Sequence, residues 1–198
     1  MGNSISPVRL ERFVMHRFGI TRVVAVLLIA IAVSCQVACG LQDRGLIWAS
    51  GTGQLGIVKW LLEKGSDANA RDNDGKTALI AASLMGHAEV VRLLLDNGAD
   101  ANLMDRFGKT PLMWATSEGH TDVVRLLIDQ GADVNAKGFM TALIWACEKG
   151  RVEIARLLLE NGADVSAKDV WGNTALTHAS EKGHSQIIEL LKTHVAKQ

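Results

Sequence analysis

Hydrophobic and polar positions follow one another along most of this chain in a pattern typical of paired helices. A short apolar stretch that ends in glycine, such as 78–86, is followed by a second stretch whose apolar residues recur at helical spacing. A glycine then follows the second stretch, as at Gly98 and Gly131, where a helix needs a left-handed cap residue. The pattern predicts a helix, a tight turn and a longer helix in each block.

The blocks return with a period of about 33 residues, and most of them start with Thr-x-Leu, at Thr77, Thr110, Thr141 and Thr174. A period of this length indicates an array whose neighbouring units bury their apolar faces against one another. We therefore predict an all-α repeat solenoid of stacked helix-turn-helix units joined by β-hairpin-like loops. We expect one repeat domain over residues 41–198, with five units at 41–70, 71–103, 104–136, 137–167 and 168–198.

Three departures from the period describe individual units. Thr110 and Thr141 are only 31 residues apart, so the connection that contains residues 137–140 should be shorter than the others. A position that holds leucine or isoleucine in the inner units becomes Lys192 in the fifth, the polar replacement expected where no further unit stacks. The first unit has Arg44 where the other units have threonine, which fits a capping repeat.

These motifs resemble those of the ankyrin repeat family. Thr-Pro-Leu at 110–112 and Gly-Ala-Asp-Val-Asn-Ala at 131–136 follow the family's pattern, and Gly-His recurs at 86–87, 119–120 and 183–184. The resemblance implies a protein-interaction module whose hairpin tips and first helices line a concave face. The family's histidine after Thr-Pro-Leu is absent, so we expect apolar packing to replace its hydrogen bonds at Ile80, Met113, Ile144 and Thr177.

The first forty residues are of a different character. Four arginines precede an uncharged run at 23–34 that ends in small residues, which is the layout of a secretory signal. The run is short for a membrane span, which needs about 20 apolar residues. We therefore expect export to the periplasm, with an uncleaved anchor over residues 23–40 as the alternative. A start at Met15 would give a signal of the usual length.

The end of this run offers a possible lipid attachment site. Ala32-Val-Ser-Cys35 resembles a bacterial lipobox, in which the thiol of Cys35 would be acylated after cleavage. Residues 36–43 would then connect the lipid to the first helix, over at most about 28 Å when extended. Two alternatives stay open: Cys35 is simply part of an apolar segment, or the N-terminal hexapeptide is a myristoylation signal with Gly2 as acceptor, on an intracellular or host-directed protein.

Composition and charge narrow the class of partner. The chain is 48% hydrophobic and 21% charged, with no formal net charge, which is a globular composition. From residue 41 onward 17 basic residues stand against 20 acidic ones. Nucleic-acid binding needs a clustered basic face, so we expect no nucleic-acid partner. We expect a monomer that binds a protein partner. It should be held at a membrane by its lipid or N-terminal anchor.

The sequence offers few candidates for catalytic or metal-binding residues. His87, His120 and His184 occupy one position near the inter-helix turn, one in each of three units, which favours a structural role because zinc ligands must converge. Cys147 replaces a small residue of the first helix and is expected to be a buried thiol. We therefore expect no catalytic site, no metal and no cofactor. A ligand binder or enzyme that uses His178 is the less favoured alternative.

A binding surface is the better-supported hypothesis. Tryptophans recur at one position of the first helix, and aromatic residues recur near the hairpin tips. Tryptophan is enriched among the residues that dominate binding energy, although the same rings could instead pack between units. The concave-face residues that we predict to contact a partner are Trp48, Leu84, Met85, Phe107, Trp114, Phe139, Trp145, Trp171 and His178.

Overall fold

Ten α-helices make up the regular structure of residues 35–196, the part of the chain that the computed structural model describes, with side chains described from Asp43 onward. The repeat array lies within a compact unit that extends from Asp43 to the C-terminal end. The helices are α1 (Cys35–Gly51), α2 (Leu55–Glu63), α3 (Ala78–Met85), α4 (Ala88–Asp96), α5 (Pro111–Glu118), α6 (Thr121–Asp129), α7 (Ala142–Glu148), α8 (Val152–Glu160), α9 (Ala175–Glu181) and α10 (Ser185–Val195).

The helices stack in two layers. The first helices of the units, α3, α5, α7 and α9, pack in sequence against one another, and so do the second helices α2, α4, α6, α8 and α10. Within the last four units each first helix also packs on its own second helix. This is the predicted solenoid of paired helices, in which each unit is buried mainly by its neighbours.

Each first helix of the last four units begins at its threonine. The Thr77 and Thr110 hydroxyls accept the backbone N–H three residues later, at 3.2 and 3.3 Å, and thereby satisfy one of the donors that a helix N-terminus leaves free. The helices α3 and α5 end at Gly86 and Gly119, whose φ angles of 77° and 90° lie in the left-handed region, whereas a lysine cap precedes the glycine in α7 and α9. The Thr-x-Leu and glycine signals thus set the helix bounds locally.

The core consists of the apolar residues that face between layers and between units. Leu79, Leu112 and Leu143 are almost completely buried, and so are the leucines of the second helices at 94, 127 and 158. The apolar residues that replace the family histidine, Ile80, Met113 and Ile144, are also fully buried. The expected replacement of hydrogen bonds by apolar packing is therefore confirmed in these three units. In the fifth unit, Thr177 instead forms a capping box with Thr174.

The connections between units are turns built around an aspartate. In the third unit, Asp105 Oδ1 accepts the backbone N–H groups of Phe107 and Lys109, at 2.9 and 3.0 Å. Asp72 and Asp169 form the same turn in the second and fifth units. Within residues 35–196 the pairing of β type is limited to one isolated bridge, so these loops have the course of hairpins without extended strands.

The N-terminal helix differs from our expectation. The prediction that residues 36–43 precede the first helix as a link is wrong, because α1 begins at Cys35 and includes this segment. Arg44 stands where other units have a capping threonine, so the helix is not stopped at that point. At the other end of the array, Lys192 is exposed as predicted. Among the helices of the described segment, none has the length and apolar character needed to cross a bilayer.

Candidate functional site

The candidate site follows the first-helix layer, at the position four residues after the capping threonine of each unit, or after Arg44 in the first unit. This position holds Trp48, Trp114, Trp145 and His178, and Ala81 in the second unit. The Trp48 side chain is 60% exposed, whereas Trp114 and Trp145 are partly buried and His178 is only 7% exposed. Equivalent positions therefore differ in how much of the side chain is exposed.

In the third unit, the tryptophan is held by the turn aspartate. Trp114 donates its indole N–H to Asp105 Oδ2 at 2.8 Å, while Asp105 Oδ1 is occupied by the backbone N–H groups of the turn. The residue Asp105 is buried, with 5% of its surface exposed. Because both oxygens accept hydrogen bonds, the cost of burying this carboxylate is offset by the turn and the ring together.

A lysine joins the third unit to the fourth. The Lys109 ammonium lies 4.0 Å from the ring centroid of Trp114 and 3.5 Å from that of Trp145, so one cation contacts both indoles. Burial lowers the pKa of Lys109, and it outweighs the attraction of Asp105 and Glu118, which favours the charged form. The two tryptophans and the lysine form a single cluster across two units, which we call the Trp–Lys cluster: Lys109, Trp114 and Trp145.

The fourth unit lacks the aspartate that its tryptophan would need. The two-residue deletion places Ala136 five residues before Thr141, where the third and fifth units have Asp105 and Asp169. As a result, Trp145 Nε1 is buried without a hydrogen-bond partner among the described residues. A buried donor without an acceptor is uncommon, and it costs about 1–3 kcal/mol. The shorter connection was predicted from the sequence, but this consequence was not.

In the fifth unit, a histidine takes the place of tryptophan. His178 Nε2 lies 2.8 Å from Asp169 Oδ2, and His178 Nδ1 lies 2.9 Å from Glu148 Oε2 in the fourth unit. Lys182 binds the other oxygen of Glu148 at 3.0 Å. Burial disfavours the imidazolium, but the two carboxylates outweigh it and raise the pKa of His178. We call this group the His178 triad: His178, Asp169 and Glu148.

The pKa values of the two carboxylates in the triad shift in the opposite direction, downward. Burial tends to raise the pKa of Asp169, but its hydrogen bonds with His178 and with backbone N–H groups outweigh this and lower it. Burial acts on Glu148 in the same sense, and hydrogen bonds from Lys182 and His178 again leave its pKa lowered. The triad therefore favours a charged histidine between two ionised carboxylates, which ties the fourth unit to the fifth.

The hairpin tips carry the exposed aromatic residues. Phe107, Phe139 and Trp171 are 43%, 52% and 68% exposed. Neighbouring tips are bonded to each other, since the Val170 N–H donates to the Phe139 carbonyl at 3.2 Å. Met85, at the end of α3, is also exposed, and Leu84 beside it is partly buried. Of the predicted contact residues, the tips, Trp48 and Met85 thus offer most surface, and His178 offers little.

The repeated histidines have structural roles where their contacts are visible. His87 Nε2 lies 3.2 Å from the Gly51 carbonyl oxygen, and His120 Nε2 lies 3.0 Å from that of Leu84. Each imidazole thus reaches the end of the first helix in the preceding unit. Arg151 takes this position in the fourth unit and donates to the Glu118 carbonyl at 3.0 Å. In the described part of the chain no three potential ligands are grouped to hold a metal.

Several important residues of this surface were missed by the sequence analysis. Lys109, Asp105, Asp169 and Glu148 were not predicted as site residues, although they decide how the ring at each first-helix position is held. A signal was present: an aspartate stands five residues before Thr77, Thr110 and Thr174, and it is absent before Thr141. Comparison of the units at that position would have predicted the aspartate turns.

Comparison with known families agrees with this geometry. A family model described as Ankyrin repeats (3 copies) matches residues 46–138, and one described as Ankyrin repeats (many copies) matches residues 143–191. The chain belongs to the ankyrin repeat family. No curated protein matches this ankyrin array. Ankyrin repeats are typically non-enzymatic scaffolds for protein–protein interaction, and the described helices form such an array.

Proposed function

We propose that this ankyrin array binds a protein partner through its concave face, which consists of the hairpin tips and the first helices. The observation that carries the proposal is where the exposed aromatic rings lie. Among the described residues, four of the five largely exposed aromatic side chains belong to this face, at Trp48, Phe107, Phe139 and Trp171, and the fifth, Trp60, is on a second helix. Exposed aromatic side chains are typical anchors of protein interfaces.

The arrangement of this face suits an extended or convex partner surface. The tip residues Phe107 and Phe139 belong to consecutive units, and Trp171 belongs to the next, so the rings are offered in a row along the array. The Trp–Lys cluster joins the third unit to the fourth and the His178 triad joins the fourth to the fifth, so both help to hold the first helices in place. Anchors on a preordered scaffold lose little conformational entropy when they bind.

Substitution of the exposed tips tests the concave-face proposal. A Phe139→Ala, Trp171→Ala double variant should lose proteins that the native array captures by crosslinking, while its melting temperature changes little because both rings are exposed. Trp60→Ala is the matched control, since it removes an equally exposed ring from a second helix. The partner thus identified is then titrated in purified form. Equal affinity for the native array and the double variant would exclude this face.

We also propose that the array is exported and tethered in a bacterial envelope. The support is the order of the sequence: arginines, an apolar run at 23–34, and Cys35 at the small-residue junction. Residues 1–34 lie outside the described part of the chain. A lipid on Cys35, with Gln36 rather than aspartate after it, would favour the outer membrane by resemblance to bacterial lipoproteins.

The mature N-terminus tests the location. Mass spectrometry should find a lipid-modified Cys35 as the first residue, and external protease should digest the array in cells whose outer membrane is permeabilised. A Cys35→Ser variant should release the array from the membrane fraction. An acylated Gly2, or an unmodified Met1 on a protease-protected protein, would support the intracellular alternative and reject export.

A further inference from the structure

Two polar groups in the Trp–Lys cluster form no hydrogen bond or ion pair with an acceptor among the described residues. Trp145 Nε1 is a buried donor without an acceptor, and the Lys109 ammonium, which lies 3.5 Å from the centroid of the same ring, forms no ion pair there. Asp105, the carboxylate nearest to Lys109 in sequence, already accepts hydrogen bonds from Trp114 and from the backbone of its own turn. The cluster thus has a cation and an N–H side by side on one indole.

The neighbouring units show which group is missing. In the third unit, an aspartate oxygen accepts from the ring at the equivalent position at 2.8 Å, and in the fifth unit another does so at the same distance. In the fourth unit, the deletion removes this aspartate and leaves Ala136 at its place. A water molecule could accept the Trp145 N–H, but it would leave Lys109 without an ion pair, whereas one carboxylate binds both groups.

We propose that the fourth unit takes an aspartate or glutamate side chain from the protein partner, whose carboxylate binds Lys109 and Trp145 Nε1 where the array lacks its own turn aspartate. This inference rests on the proposed function, because it names the chemistry that the concave-face partner presents. Trp145 Nε1 is covered in the unbound array, and the flexible Lys109 side chain over its ring moves aside as the carboxylate enters.

The surroundings of the cluster favour an acidic group. Lys149, at the end of α7, is exposed and adds a second positive charge near Lys109, while Asp105 and Glu118 attract Lys109 without forming an ion pair with it. Phe139 lies on the shortened connection, six residues before Trp145, and is exposed. It offers apolar contact to the rest of the partner. Partial burial strengthens the attraction between Lys109 and an incoming carboxylate.

The indole N–H signals of the full chain, labelled with ¹⁵N at tryptophan, test this proposal by NMR. Acetate is the probe, and sodium chloride at matched ionic strength is the control. The Trp145 signal, assigned with Trp145→Phe, should move downfield and saturate, and the Trp114 signal should move little because Asp105 already binds it. Lys109→Met should weaken acetate binding about tenfold, as expected for one charge-assisted hydrogen bond.

A loop exchange supplies the missing carboxylate within the chain. Replacement of residues 138–140 by residues 169–173 restores an aspartate and the full length of the connection. In this variant, the Trp145 signal should lie downfield without acetate and should no longer respond to it. The same exchange with alanine at the aspartate position is the matched control and should leave Trp145 responsive.

Three outcomes would overturn the inference: an unmoved Trp145 signal, an equal response to chloride, or an equal response to inorganic phosphate, which would indicate a general anion site. These experiments use no protein partner. Their failure would leave concave-face binding intact, and the loss of concave-face binding in the Phe139→Ala, Trp171→Ala variant would be observed independently of acetate.

Discussion

His178 Nε2 lies 2.8 Å from the Asp169 carboxylate, at the place where the third unit holds an indole N–H against its own aspartate. The turn aspartate thus has the same position in both units, while the ring that it holds changes from an uncharged donor to a titratable one. Because His178 also lies 2.9 Å from Glu148 of the preceding unit, the exchange makes the contact between the last two units depend on protonation.

The stability of the fifth unit should therefore depend on pH. The raised pKa of His178 means that its contribution is complete below its ordinary pKa of about 6.5 and is lost as pH rises through the higher folded value. The lowered pKa values of Asp169 and Glu148 mean that their contribution is present above about 4 and is lost as pH falls through the folded values. The stabilisation should be greatest between these limits.

Urea denaturation at a series of pH values measures this effect. The loss of stability in His178→Gln, relative to the native chain, should be largest between about pH 4.5 and 6.5 and should shrink toward pH 9. His184→Gln, which changes a histidine of the inter-helix turn, is the control. A loss in His178→Gln that is constant from pH 5 to pH 9 would contradict the charged triad.

The two central tryptophans should respond differently to the same substitution. Trp114→Phe leaves the buried Asp105 Oδ2 without its donor, so the free energy of unfolding should fall by about 1–3 kcal/mol. Trp145→Phe removes a similar side-chain volume, but the donor that it removes has no acceptor among the described residues. The free energy of unfolding should therefore fall by less than in Trp114→Phe. Chemical denaturation of both variants measures this difference. Equal losses of unfolding free energy would show that side-chain packing, and not hydrogen bonding, determines the effect of each substitution.

The shortened connection should tolerate no side chain at Gly138. A Cβ atom at this position would overlap the carbonyl oxygen of Gly108 in the preceding connection. We expect Gly138→Ala to destabilise the array by about 1–3 kcal/mol, because the rigid backbone must shift. Gly56→Ala is the control, since a Cβ on this glycine of α2 meets no atom within 4 Å. Thermal unfolding of both variants tests this prediction. An unchanged melting temperature for Gly138→Ala would contradict the close approach of Gly138 to the Gly108 carbonyl.

The thiol of Cys147 should be inert in the folded array. Burial raises its pKa to about 12, so almost no reactive thiolate exists at pH 8. Iodoacetamide at that pH should modify the peptide that contains Cys147 only as fast as the array unfolds, and urea should make the reaction rapid. Peptide mapping by mass spectrometry follows the reaction. Modification in native buffer at the rate of a free thiol would show that the first-helix layer opens.

Much of this architecture was predictable because its causes are local. Thr77 and its equivalents cap helices through contacts within three residues, and Gly86 adopts its left-handed conformation within a single turn. The apolar residues that replace the family histidine could be predicted to pack, since they recur in register at positions such as Ile80 and Ile144. The bounds of α1 were missed, because the sequence contains no cap that fixes where this helix begins.

The sequence by itself thus determined the period, the paired helices, the short fourth connection and the row of aromatic positions. Only the tertiary structure decided what each ring does, because its partners come from other helices and other units: Asp105 for Trp114, Lys109 for Trp145, and Glu148 for His178. Helix starts and turns depend on neighbours in the chain, whereas burial, hydrogen bonding and charge at the first helices and hairpin tips depend on how successive units stack.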